Sequence, residues 1–333
     1  MKTHNKIPTV RRNKIQGEQG IALLAVLWVI VLLMALATDF AFSMKTDVRA
    51  TRNYKNDIEA YFLAKSGINL ALAEIIRPAL YHSKREDLGF VIAMPVPPEE
   101  AIQPTDVTEE NNEPTYEEPH REDIEIGAGT VSYVIEDENG KIDINSATRN
   151  TLVKVLAQAG VPIGQDRDII ADSILDWIDA NDTHLLNGAE DDYYRTLSPP
   201  YKAKNGPLET IEELLKVRGI TPELFYGTDD EELDFKGLIN FFTTYKVKIA
   251  NPNTMSLEVL PVFYQENQIQ QILSDRESKG FYAITTSTHF RITSTGKINE
   301  GAEHTIVAVV EKTITNGRPY ISTLFWDDNH YEK

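Results

Sequence analysis

Residues 11–39 read RRNKIQGEQG, then IALLAVLWVIVLLMALAT, then Asp39. A short basic segment ends in Gly20, and eighteen uncharged, mostly apolar residues follow at once. That is near the shortest helix able to cross a bilayer. A secretory signal peptide would put small residues and a cleavage site after the apolar run. Here the glycine stands before it, which argues for an anchor that the protein keeps. Lys2, Lys6, Arg11, Arg12 and Lys14 precede the helix against the single acid Glu18. By the positive-inside tendency the N-terminus is expected in the cytoplasm, with everything after about Phe42 outside.

The helical pattern outruns the apolar segment. Phe40, Met44, Val48, Tyr54, Ile58, Phe62 and Leu70 recur near helical spacing among charged residues. Pro78 is the expected stop. One helix from Ile21 to about Arg77 would be roughly 85 Å long. A pair of helices broken near Ser43 or Gly67 is the alternative.

The 333 residues allow one large or two modest domains beyond the anchor. A net charge of −18 makes nucleic acid an unfavourable partner. With no cysteine there is no disulfide, thiolate metal site or cysteine nucleophile. The seven histidines show no metal spacing, and neither a G-x-S-x-G elbow nor a P-loop occurs, so the residues point away from an enzyme.

Between residues 86 and 125 thirteen acids face the single base Arg121, with prolines at 95, 97, 98, 104, 114 and 119. This predicts a solvated acidic loop. Gly129 to Asp143 alternates as one or two strands with a turn at Glu138 to Gly140. A helical block follows, from Ser146 to about Phe225. Ser146 or Thr148 can cap its first helix, which stops at Gly160. A second helix spans about Gln165 to Trp177, and a third begins near Pro207. KIDINSATRNTLVKVL at 141–156 resembles KVKIANPNTMSLEVLPVF at 246–263, which predicts a strand–cap–helix unit on each side of the block. HFRITSTGKI, HTIVAVVEKTI and YISTLFW are three C-terminal strands, the first two joined by a turn at Asn299 to Ala302.

Asp176, Asp179, Asn181, Asp182, Glu190, Asp191 and Asp192 fall within seventeen residues. Close-set oxygen ligands on an irregular loop suit Ca²⁺, which takes about six to eight oxygens in flexible geometry. Without a cation, clustered acids oppose one another's ionisation. Gly188 gives the loop freedom to turn. The EF-hand pattern is absent, and a merely solvated acidic loop is the alternative. The candidate ligands are Asp179, Asp182, Glu190, Asp191 and Asp192.

The basic segment, Gly20 and the apolar run are arranged as in type IV prepilin-like proteins. Together with KIDINSAT, ADSILDWIDANDTHLLNGAEDDYY at 171–194, PYKAKNGPLETIEELLKVRGI at 200–220 and VKIANPNTMSLEVL at 247–260, they make the chain resemble the minor pseudopilin K (GspK) family of type II secretion. The likeness spans nearly the whole chain except the acidic loop. It implies an α+β fold, a pilin-like long N-terminal helix on an antiparallel sheet, with an inserted, mostly helical SAM- or helix-hairpin-like domain. The expected divisions are a leader at 1–20, the helix at 21–78, the acidic loop and first strands at 79–145, the helical insertion at 146–242, and the rest of the β domain at 243–333.

The resemblance also implies cleavage after Gly20 by prepilin peptidase, methylation of the new amino group at Ile21, and structural calcium in the acidic cluster. The implied setting is the inner membrane of a Gram-negative bacterium with the head in the periplasm. The implied partners are the I- and J-type minor pseudopilins, at the tip of the pseudopilus. Most pilin-like subunits carry Glu at the fifth residue after the cleavage point, and here that residue is Ala25. A carboxylate at that depth is costly and seeks a partner. A subunit without one is compatible with a tip position. Two other readings are a minor pilin of a type IV pilus and, more distantly, a membrane-anchored nucleic-acid uptake protein. The second comes from INSATRNTLVKVLAQAGVP, which resembles half of a helix-hairpin-helix, though its surroundings are acidic.

Overall fold

The computed structural model describes residues 18–86, 88–95, 119–228, 234–298 and 301–328. Residues 1–17 of the expected leader, most of the acidic loop, and Asn299 and Glu300 of the expected turn lie outside them. The chain divides between Glu59 and Ala60 into two units.

A single α-helix, α1 (Glu18–Ile75), takes in the apolar run without a break at Ser43 or Gly67. Thr38, Thr46, Thr51 and Ser66 donate their hydroxyls to the carbonyls four residues back, so these polar side chains are satisfied within the helix. Its N-terminal part is long and apolar enough to cross a membrane, with a mean hydropathy of 2.9 and none of that stretch buried. The helix stops three residues before Pro78. Lys312 Nζ donates to the carbonyls of Ile75 and Arg77, placing a cation where the helix dipole favours one.

In the second unit, Ala60, Ala64, Ile68, Ala71 and Ile75 recur every three or four residues and are buried. They face a five-stranded antiparallel sheet built from β3 (Ile124–Ile126), β4 (Gly129–Asp137), β7 (His289–Ile298), β8 (Glu303–Thr315) and β9 (Arg318–Asp327), in the order β3-β4-β7-β8-β9. Tyr133, Ile135, Phe290, Ile292, Ile306, Ala308 and Val310 complete this core. The contact is close because the facing residues are small. A Cβ on Gly296 would lie 2.3 Å from the Ala60 carbonyl oxygen, and one on Gly67 would lie 2.2 Å from Ser294 Oγ. This is the α+β, helix-on-sheet fold expected from the sequence.

The acidic stretch is more structured at its ends than composition suggests. A hairpin of β1 (Tyr81–Arg85) and β2 (Gly89–Ala93) replaces the expected start of the loop at Glu86, with Phe90, Val91, Ile92 and Ala93 buried. The far end is pinned by Arg121, which forms a bidentate ion pair with Glu74 on α1, and Tyr133 OH donates to the same carboxylate. The one base among thirteen acids is therefore an anchor for the segment.

Between β4 and β7 the chain leaves the sheet. A two-residue strand, β5 (Ile142–Asp143), pairs in parallel with β6 (Phe242–Thr243). Around them lie α2 (Arg149–Gln158), α3 (Gln165–Ile178), α4 (Asp191–Tyr194), α5 (Pro222–Tyr226), α6 (Leu260–Phe263) and α7 (Glu266–Lys279). Thr148 caps α2 by accepting from Thr151 N, and α3 ends at Ile178. Leu152, Leu156, Ile174, Trp177, Tyr194 and Phe225 fill a separate core that reaches Ile272.

Two local expectations differ. The helix expected from Pro207 is a 3-10 turn at Ile211–Lys216, preceded by a capping box of Thr210 and Glu213. The second copy of the repeat forms no strand at residues 246–251. There the asparagines knit loops instead: Asn251 Nδ2 donates to Asp137 Oδ2 and Ser287 Oγ, and Asn253 Oδ1 accepts the Tyr282 amide. Asn139 Oδ1 accepts the Thr288 and His289 amides from the other side. Buried amides need partners, and this network supplies them.

Candidate metal centre

The C-terminal turns of α3 set the site. Asp172 and Asp176 are four residues apart and so share one face of the helix, and both are buried. Each holds one side of the following loop: Asp172 Oδ2 accepts from the amide and side chain of Asn187, while both Asp176 carboxylate oxygens accept from Leu185 N at 3.1 Å. Arg149 on α2 pairs with Asp172 and Asp168. The loop folds back so closely that a Cβ at Gly188 would lie 1.8 Å from Asp176 Oδ2. A side chain there would have to displace the Asp176 carboxylate.

Asp179 follows as the C-cap of α3, and its Oδ1 accepts the Asn181 amide at 2.9 Å. Glu190 precedes α4 and is 2% exposed. Asp176, Asp179 and Glu190 each bring an oxygen within 4.8 Å of the others. Two of these three carboxylates are buried, and neither oxygen of Glu190 has a hydrogen-bond partner. Burial, and then the nearby Asp176, Asp179, Asp182 and Asp191, push the Glu190 carboxyl up to about 7. Burial also raises Asp176, assisted by Asp179 and Asp172 and opposed by the Leu185 and Ala189 amides. At neutral pH the arrangement is one of excess negative charge that a cation would relieve.

Asn205, in the left-handed region at φ +47, is joined to the acidic loop through Asp182. Its Nδ2 donates to Asp182 Oδ1 at 2.7 Å, and its Oδ1 is buried with no partner. The two orphaned, buried oxygens of Glu190 within a converging carboxylate trio fit a hard dication bound through oxygen. Asp179 and Glu190, expected from the sequence, belong to the converging trio. Asp182 is near enough to help raise the Glu190 carboxyl. Asp191 is engaged elsewhere, accepting from Arg195 Nη2 at 2.6 Å and from the Ala203 amide at 3.0 Å. Asp192 Oδ1 accepts the Tyr193 amide. Asp176 was not among the expected ligands. Helical phase with Asp172 signals it.

The surroundings of this site carry the family signal. Residues 133–227 match the family model for type II secretion system (T2SS), protein K. Among curated relatives, a Pseudomonas aeruginosa type II secretion system protein K is 23% identical over 283 residues, 80% of this chain and 74% of that protein. An Escherichia coli protein assigned as type II secretion system protein K is 26% identical over 208 residues, 62% of this chain; the match spans 60% of that protein's length. The fold is similar to a chain in the crystal structure of the GspK-GspI-GspJ complex from enterotoxigenic Escherichia coli, with a TM-score of 0.58 at 18% identity, over 86% of this chain and all of that one. These relatives are named for a secretion apparatus, not for an enzymatic activity. The resemblance read from the sequence is thus matched by the family model over residues 133–227, by curated relatives named type II secretion system protein K, and by the fold of a chain in the GspK-GspI-GspJ complex.

Proposed function

We propose that this protein is a minor pseudopilin of type II secretion, held in the inner membrane by the apolar part of α1 and presenting its head in the periplasm. The observation that carries this reading is the double character of α1: apolar and uncovered at one end, and packed on an antiparallel sheet through Ala60, Ala64, Ile68, Ala71 and Ile75 at the other. Lipid stores the first part until helix–helix packing with other subunits replaces it. Prepilin peptidase removes residues 1–20, and Ile21 becomes the methylated N-terminus. Ala25 offers no carboxylate to a subunit above, and the helical insertion at 146–242 suits a cap better than a repeating unit. Both features support a tip position, from which the protein nucleates the pseudopilus with I- and J-type partners for export of folded proteins. A calcium ion held by Asp176, Asp179 and Glu190, with Asp182 nearby, fixes the insertion. Its role there is charge neutralisation.

The test is co-purification of the full-length chain with the I- and J-type pseudopilins of the same host, alongside exoprotein secretion in a deletion strain. The reading predicts a ternary complex and a secretion block rescued by the full chain. Intact secretion without the gene, and no complex, would overturn it.

A further inference from the structure

Ile76, Ile249 and Ile314 come from three distant parts of the sequence and are exposed at 41%, 58% and 73%. All three line one cleft of about 620 Å³, between the end of α1, the segment 245–251 and the β8–β9 hairpin. That volume is in the range of ligand sites, and clustered exposed apolar residues mark binding surfaces. The cleft is also cationic, in a chain of net charge −18. Lys246 and Lys248 stand exposed at its rim, Lys312 lies deeper, and Glu311 is the one acid of the lining. Charges beyond about 8 Å are screened at physiological salt, so a ligand in the cleft meets these lysines before the distant acids.

His82 also lines the cleft, its ring packed near Phe90 and Phe290. His82 Nδ1 accepts the Ser287 amide at 2.7 Å, which leaves the proton on Nε2, and that atom is buried with no hydrogen-bond partner. Burial, with Lys312 nearby, holds this imidazole at about 3, so it stays neutral at physiological pH.

We propose that this cleft binds an acidic peptide segment whose central apolar side chain seats among Ile76, Ile249 and Ile314 while its flanking carboxylates meet Lys246 and Lys248. An apolar ligand alone would leave the lysines unused. A nucleic acid would leave the isoleucines unused. The inference rests on the cleft and is independent of the pseudopilin reading.

The test uses the full-length chain in neutral detergent and three fluorescein-labelled peptides, EELEE, EEAEE and KKLKK, read by anisotropy at low salt. EELEE is expected to bind, to weaken as salt is raised, and to lose on the order of tenfold in affinity in the Lys246→Glu/Lys248→Glu variant. Both lysines are solvent-exposed, so the variant should keep the parent melting temperature. Ile314→Asp should weaken EELEE binding with the lysines intact. Binding of EEAEE or KKLKK as tightly as EELEE would overturn the proposal, as would indifference to both variants. Binding of dihexanoyl-phosphatidylglycerol at the lysines without binding of EELEE would overturn it in favour of an anionic lipid.

Discussion

Glu190→Gln should reverse its effect on stability according to whether calcium is present. In the cation-free fold the Glu190 carboxyl stands at about 7 against an ordinary 4.5. At about 1.4 kcal/mol per pH unit this displacement is roughly 3 kcal/mol. The folded value lies above the unfolded one, so the cation-free fold is most favoured below about pH 4.5 and loses that margin as pH rises through about 7. About 2 kcal/mol of the loss falls between pH 5.5 and 7.5, equivalent to roughly 4–8 °C in a domain of this size. The assay is thermal unfolding of the full-length chain in detergent with excess chelator, wild type against Glu190→Gln, at both pH values. Other carboxylates titrate in both proteins, so the difference between the two curves isolates this residue. In chelator the variant should gain on wild type by about that interval at pH 7.5. With calcium at 100 times its dissociation constant, wild type should rise by about 2.7 kcal/mol and the variant by much less. Parallel curves in chelator, or equal stabilisation of both proteins by calcium, would refute the reasoning.

Gly188→Ala should abolish calcium stabilisation, because its Cβ would lie 1.8 Å from Asp176 Oδ2; a calorimetric titration that still shows wild-type uptake would refute this. Gly296→Val should cost about 1–3 kcal/mol in denaturant unfolding by driving a methyl group into the α1 backbone at Ala60. Glu74→Ala leaves Arg121 buried without its partner, and should cost about 1–3 kcal/mol and speed protease cleavage near residue 121. A cleavage pattern unchanged from wild type would argue that the ion pair holds nothing in place.

Long-period features were legible in the sequence. The length of α1, the cap at Thr148 and the three C-terminal strands follow from local periodicity and side-chain chemistry, which are written in consecutive residues. The expected α1 stripe is not the buried one: Phe62 and Leu70 are exposed, and the small residues Ala60, Ala64 and Ala71 with Ile68 and Ile75 face the sheet. The β1–β2 hairpin was hidden because composition over residues 86–125 averages a buried apolar strand, GFVIA, with its acidic continuation. The second repeat misled for a different reason. Asn251 and Asn253 look like helix caps in sequence, but Asp137, Ser287 and Tyr282, far away in the chain, compete for their side chains. At the acidic cluster, residue type marked the stretch but not which carboxylates converge. Asp191 was claimed by Arg195 and the Ala203 amide, and Asp176 entered through the phase of α3. Such choices depend on contacts between segments, which spacing alone does not encode.

The pairing of Asp137 with Phe290 has a kinetic consequence. The two neighbouring strands are separated by about 150 residues of chain, and closing such a loop costs roughly 3 kcal/mol more entropy than closing a tight hairpin. The β5–β6 pair and the Asp137–Asn251–Ser287 bonds tether the helical insertion near its two ends. If the insertion forms first, it draws those ends together, and β4 meets β7 as though only a short turn joined them. Nucleation then begins in the insertion and the sheet zips afterwards, so a lesion in the helical core slows folding of a sheet it does not touch.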